Sequence, residues 1–109
     1  MIPSQMLKGV LEGCILAVID RGETYGYEIT DKLGSYGFGT VAEGTIYPIL
    51  LRLEKNGAIE AELKASPSGP KRKYYHLTDS GRDSLAAFQE NWGAISLAVG
   101  AILRGERDE

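Results

Sequence analysis

The stretch from Ala42 to Gly81, AEGTIYPILLRLEKNGAIEAELKASPSGPKRKYYHLTDSG, limits what this chain can fold into more than any other. Ile46, Ile49, Leu50 and Leu53 recur at helical spacing, while Arg52, Glu54 and Lys55 point elsewhere. Asn56-Gly57 stops that helix, because glycine enters the left-handed conformation at little steric cost. From Ile59 to Lys64 apolar and polar residues alternate, which predicts a half-buried strand with Ile59, Ala61 and Leu63 inward and Glu60, Glu62 and Lys64 outward. Ser66-Pro67-Ser68-Gly69-Pro70 has the composition of a turn, Lys71-Arg72-Lys73 makes it basic, and Tyr74, Tyr75, His76 and Leu77 supply a β-prone return. A helix followed by a basic hairpin suits duplex DNA: the helix fits the major groove and the hairpin cations reach phosphates. The stretch predicts a winged helix.

The flanks complete the pattern. A first helix is predicted from Gln5 to Ile19, led in by Pro3-Ser4 and stopped by Asp20-Arg21-Gly22. Its apolar residues cover so much of the circumference that it must lie between two layers. A second helix is predicted from Tyr25 to Tyr36 with Thr24 as N-cap, followed by a loop at Gly37-x-Gly39. The third helix has two alternative starts. Thr40-Val41-Ala42-Glu43 fits a capping box, which leaves Pro48 in the interior; a cap at Thr45 places Pro48 in the first turn. The last helix starts at Thr78 and carries Leu85, Phe88, Trp92, Ile95, Val99 and Ile102 at spacings of three and four. Reaching Arg104, it would span about 40 Å, against a radius of gyration of ~13 Å for a domain of this size. An overhanging apolar seam calls for a second subunit. The expected fold class is therefore α+β, mostly α: a winged helix-turn-helix over residues 1–77 and a long C-terminal dimerisation helix over 78–109.

Composition constrains the partners. The 109 residues carry a net charge of −3, yet residues 43–73 hold six cations and four anions, leaving an acidic remainder. A basic tip on an acidic body suits a DNA binder whose body must not cling to DNA. The single cysteine, Cys14, excludes an intramolecular disulfide, and its apolar run to Ile19 predicts a buried thiol. That run of six is the longest, far short of the ~20 residues that span a bilayer. With no basic, then apolar, leader in MIPSQMLKG, a cytoplasmic location and no membrane partner are expected.

Four motifs in order resemble the PadR family of transcriptional regulators: Tyr25-Gly26-Tyr27-Glu28-Ile29, Gly44-Thr45-Ile46-Tyr47-Pro48, Arg52-Leu53-Glu54-Lys55-Asn56-Gly57, and Arg72-Lys73-Tyr74-Tyr75-His76-Leu77-Thr78-Asp79-Ser80-Gly81. The resemblance runs from Gln5 to about Leu103. The single carboxy-terminal helix is similar to the compact subfamily that includes multidrug-responsive repressors. Two positions depart from the pattern. Ala42 stands where the family often has a capping Ser or Asn, and Leu51 stands where a polar or basic residue is common.

The candidate DNA-binding residues are Gly44, Thr45 and Tyr47 at the start of the third helix, Tyr25 at the start of the second, and Lys64, Lys71, Arg72 and Lys73 on the hairpin. Each has a plainer reading: a helix cap for Thr45, a core edge for Tyr47, a solvated turn for the cations. His76, the only histidine, stands on a strand without a carboxylate pair, cysteine cluster or nucleophile beside it. Neither catalysis nor a metal or cofactor is expected. Trp92 is a seam residue on any reading. Its small neighbours Gly93, Ala94, Ser96, Ala98 and Gly100 leave room for a planar aromatic or cationic effector to stack on the indole. In drug-responsive members of the family that the chain resembles, a tryptophan of this helix lines such a pocket. The chain reads as a homodimeric, ligand-responsive repressor of a pseudo-palindromic operator; the alternative is a winged-helix module that binds protein.

Overall fold

A computed structural model describes residues 2–105; Met1 and residues 106–109, the outer ends of the two expected segments, lie outside the described residues. The chain begins with α1 (Ser4–Leu7) and α2 (Leu11–Asp20), so the expected continuous first helix is broken. Gly9 weakens the helix there, and Val10, stretched to φ −116, gives its N–H to the Leu7 carbonyl at 3.0 Å in a tighter turn. Met6 on α1 is exposed. Within α2, Leu11, Ile15, Leu16, Val18 and Ile19 are all buried, as a helix between two layers requires.

A two-residue strand, β1 (Thr24–Tyr25), comes next and was not legible in the sequence. Thr24 is not the expected N-cap. It is buried in β1, its hydroxyl donating to Glu28 Oε1, and Tyr25 holds the cap position of α3 (Gly26–Leu33) without a side-chain bond. A π-helical turn over Gly34–Phe38 takes up the rest of the expected second helix. α4 (Glu43–Lys55) starts at neither proposed threonine: its N-cap is Ala42, which offers no capping oxygen. Pro48 therefore lies in the second turn, where its missing N–H leaves the Gly44 carbonyl without an intrahelical donor.

The end of α4 follows the sequence. Gly57 at φ 80 allows its N–H to bond to the Glu54 carbonyl and the Ala58 N–H to the Leu53 carbonyl at 2.9 Å, closing the helix in a Schellman motif. β2 (Ile59–Ala65) and β3 (Lys71–Leu77) form the hairpin, and β1 pairs with the far side of β3 to give the order β1-β3-β2. The register pairs Lys64 with Arg72 and Ala61 with Tyr75. Leu63 departs from expectation: it is 62% exposed because the hairpin runs out past the body that would cover it.

α5 (Asp79–Leu103) opens with Thr78 accepting from the Gly81 N–H at 3.0 Å. Its first turns belong to the body. Leu85 is buried in the core with Leu11, Ile15 and Leu16, and Phe88 lies against Gly13 so closely that a Cβ there would stand 2.2 Å from its ring. Beyond Trp92 the helix leaves the body, which stretches the molecule to 62 Å with a radius of gyration of 16.0 Å.

Candidate nucleic-acid interface

The basic residues do not form one patch, because they lie on a strand rather than in the turn. β3 begins at Lys71, and a strand sends successive side chains to opposite faces. Lys73 therefore shares a face with the buried Tyr75, while Arg72 shares the other with Tyr74. On that other face the Arg72 guanidinium carbon stacks 4.2 Å over the Tyr25 ring, and Tyr74 meets Tyr25 edge-on at 5.5 Å. Lys64 lies over Tyr74 and is held by both oxygens of Glu23 at 2.8 Å. Lys71, near the turn, is exposed and makes no ion pair among the described residues.

Lys73 reaches towards α4, where its ammonium meets Glu54 Oε1 at 2.9 Å. The hydrogen bonds to Glu54 and Glu23 raise the pKa values of Lys73 and Lys64 above the ordinary lysine value, so both stay charged at physiological pH. Together Tyr25, Gly26, Tyr27, Tyr47, Leu51, Arg72, Lys73 and Tyr75 line one cleft of about 410 Å3. Gly26 is needed at its floor: a Cβ there would lie 2.6 Å from the Tyr47 hydroxyl.

Four of the expected residues (Tyr25, Tyr47, Arg72 and Lys73) thus converge on this cleft. Gly44 and Thr45 are exposed at the tip of α4, Thr45 lining a separate groove with α1 and Phe38. Gly26, Tyr27 and Tyr75 belong to the cleft and are not among the candidates, and Leu51, a departure from the family pattern, lines it too. Tyr75 alone was legible in principle, since strand parity places it beside Lys73.

On α5, Leu85 is 6% exposed and spent on the chain's own core, so it leaves the expected dimer seam. Phe88 is half-buried against α2 for the same reason. Trp92 and Val99 are each 49% exposed, and Ile95, Ile102 and Leu103 are open as well. Leu103 falls on the same side of the helix at about 100° per residue, although the heptad pattern omitted it. Trp92 also lines an apolar cleft of about 460 Å3 with Met6, Leu7, Val10, Cys14 and Phe88. Cys14 is half-exposed there rather than buried, and its partial burial raises the thiol pKa. No His, Cys, Asp and Glu cluster among the described residues could hold a metal, and no described helix is long and apolar enough to cross a membrane.

A helical body in which α3 and α4 follow one another, then a hairpin with a third strand, β1, paired to its far side, defines a winged helix-turn-helix protein. The model of the PadR-like family of transcriptional regulators matches residues 15–87, and the chain belongs to that family. It is similar to the crystal structure of a PadR-like transcriptional regulator from Bacillus cereus, with 57% identity over 94% of this chain and 99% of that one and a TM-score of 0.84. It is also similar to the negative transcriptional regulator PadR of Bacillus subtilis, 35% identical over 70% of this chain but only 43% of that protein. The structure of Bacillus subtilis PadR in complex with operator DNA matches 73% of this chain and 46% of that one at 33% identity, with a TM-score of 0.65.

Proposed function

We propose that this chain is a homodimeric repressor that binds a pseudo-palindromic operator, with α4 in the major groove and the β2–β3 wing on the adjacent backbone. The observation that carries the reading is the convergence of Tyr25, Tyr47, Arg72 and Lys73 on the cleft between α4 and the wing. Tyrosine hydroxyls, an arginine and a lysine beside an exposed helix tip are the groups that position phosphates. The operator complex of the Bacillus subtilis relative supports the same mode of binding. Lys71 at the open end of the wing and Gly44 and Thr45 at the tip of α4 would make the outer contacts, Lys64 joining once released from Glu23.

The uncovered residues Trp92, Ile95, Val99, Ile102 and Leu103 support pairing of two α5 helices, whose two-fold axis would set the half-sites about one helical turn apart. The apolar cleft against Trp92 supports a planar aromatic or cationic effector, as in a multidrug-responsive member of the family. Such an effector would favour one dimer geometry over another and so lower operator affinity. A cytoplasmic location agrees with work on chromosomal DNA. The test is selection of duplexes from a random pool by the purified protein, followed by titration of the selected duplex in rising salt. A steep fall of log affinity with log salt is expected; a protein that shifts no duplex at low salt is instead a protein-interaction module.

A further inference from the structure

Tyr75 combines a buried ring with an unused hydroxyl. The residue is 4% exposed and packed in the core, yet its oxygen has no hydrogen-bond partner among the described residues. No fully buried side-chain oxygen or nitrogen among them lacks a partner, so the Tyr75 oxygen is reached from outside. The opening is the cleft that Tyr75 lines with Tyr25, Gly26, Tyr47, Arg72 and Lys73. Burial raises the Tyr75 pKa, with Lys73 opposing weakly, so the hydroxyl stays a neutral donor.

The other groups around this opening are donors too. Lys73 brings an ammonium, the Tyr47 hydroxyl rests against Gly26, and Arg72 borders the cleft with its guanidinium stacked over Tyr25. The first N–H groups of α3, from Gly26 onward, have no intrahelical acceptor. The one carboxylate at the edge, Glu54, already occupies Lys73. Converging donors with a cation and an open mouth between α4 and the wing fit a tetrahedral anion on a large partner.

We propose that this cleft seats one phosphate of the DNA backbone in each half-site, the Tyr75 hydroxyl donating to it and Lys73 neutralising it, while Glu54 holds Lys73 in the free protein. This assignment rests on the DNA-binding reading above. Tyr75 fixes the position of the phosphate and Lys73 supplies the charge, which separates their signatures. Glu54 acts as a stand-in for phosphate that DNA must displace.

The test is fluorescence anisotropy on a selected duplex and a random one across a range of salt. Tyr75→Phe should weaken binding to both about tenfold while leaving the salt slope unchanged, since a hydrogen bond to a charged group is lost without a charge. Lys73→Ala should lower the slope by about one per half-site, and Glu54→Gln should tighten binding. A scan of single methylphosphonate linkages should find one position per half-site that weakens the unmodified protein but adds little to the defect of Tyr75→Phe or Lys73→Ala. If the protein binds duplex DNA and Tyr75→Phe, still folded, binds it equally well, the seat is wrong and the DNA-binding reading stands. If the unmodified protein binds no duplex, both fall. Should Tyr75→Phe fail to fold, the scan on Lys73→Ala decides: a linkage that weakens that variant as much as the unmodified protein overturns the seat.

Discussion

Val99→Asp is expected to turn a dimer into a monomer without touching the wing. The open fractions of Trp92, Ile95, Val99, Ile102 and Leu103 together equal about three fully exposed apolar side chains per chain. Val99 is half covered by its own chain, so sealing the remainder is worth roughly 1 kcal/mol per chain. An aspartate in the same place must also be desolvated without a partner, at a cost of about 2 kcal/mol or more per chain. Two-fold symmetry doubles both, giving roughly 6 kcal/mol, a dissociation constant weakened about 10⁴-fold. Val99→Ala removes packing alone and should weaken the dimer only about 30-fold on the same scale. Sedimentation equilibrium at micromolar concentration separates the three proteins. The wing core contains no part of Val99, so circular dichroism of the variant should match the parent at 25 °C. A Val99→Asp protein that still sediments as a dimer at micromolar concentration would refute the pairing through α5.

Alanine at Lys71 or Arg72 should reduce the salt slope of duplex binding by about one per lost contact and weaken specific and random duplexes alike; an unchanged slope with both removed would take these two residues out of the interface. Gly13→Ala places a carbon 2.2 Å from the Phe88 ring and should destabilise the fold by about 1–3 kcal/mol in urea titration, since α5 or the ring must shift. Trp92 is the only tryptophan, so indole emission should quench or shift with planar cationic dyes, at one dye per dimer if the site lies on the axis; dyes that bind Trp92→Ala equally well would leave Trp92 a packing residue. Desolvation raises the Cys14 pKa, so the fold favours the thiol: this contribution to stability is fully present below the ordinary thiol value and is lost as pH rises through the raised one. Alkylation by iodoacetamide should accordingly reach half its maximal rate at a higher pH than for free cysteine.

What the sequence disclosed depended on how local the physical signal was. α4, the hairpin and α5 were readable because helical and alternating periodicities persist for many residues, and Asn56-Gly57 carries its own conformational reason for a stop. The break at Gly9-Val10 is a single weak point in an otherwise apolar run, and β1 is too short for any period. It exists because β3 offers Thr24 and Tyr25 a free edge, which is tertiary information. The start of α4 failed for a related reason: two threonines could cap it, and the chain used neither. The wing cations were readable as a group on the hairpin but not by face, since parity depends on where the strand begins. Spacing placed Leu85 and Phe88 on one seam with Val99, but spacing does not say which surface covers each; α2 of the same chain takes the first two.

The long helix is anchored at one end and free at the other, and that asymmetry makes it a lever. Leu85 buried in the core and Phe88 seated on Gly13 fix its base to α2, and Arg52 of α4 reaches Glu12 of α2 at 3.4 Å. In the proposed dimer, a change in how two α5 helices cross would therefore be passed through α2 to both α4 helices. With an arm of about 30 Å, a rotation of about 10° moves the tip of α4 by roughly 5 Å, more than the 3.4 Å rise of one base pair. A displacement of that size would put one half-site of the proposed operator out of phase when the other is engaged. Under the proposed function, gearing of this kind would let an effector lose a whole contact set by tilting the helices slightly.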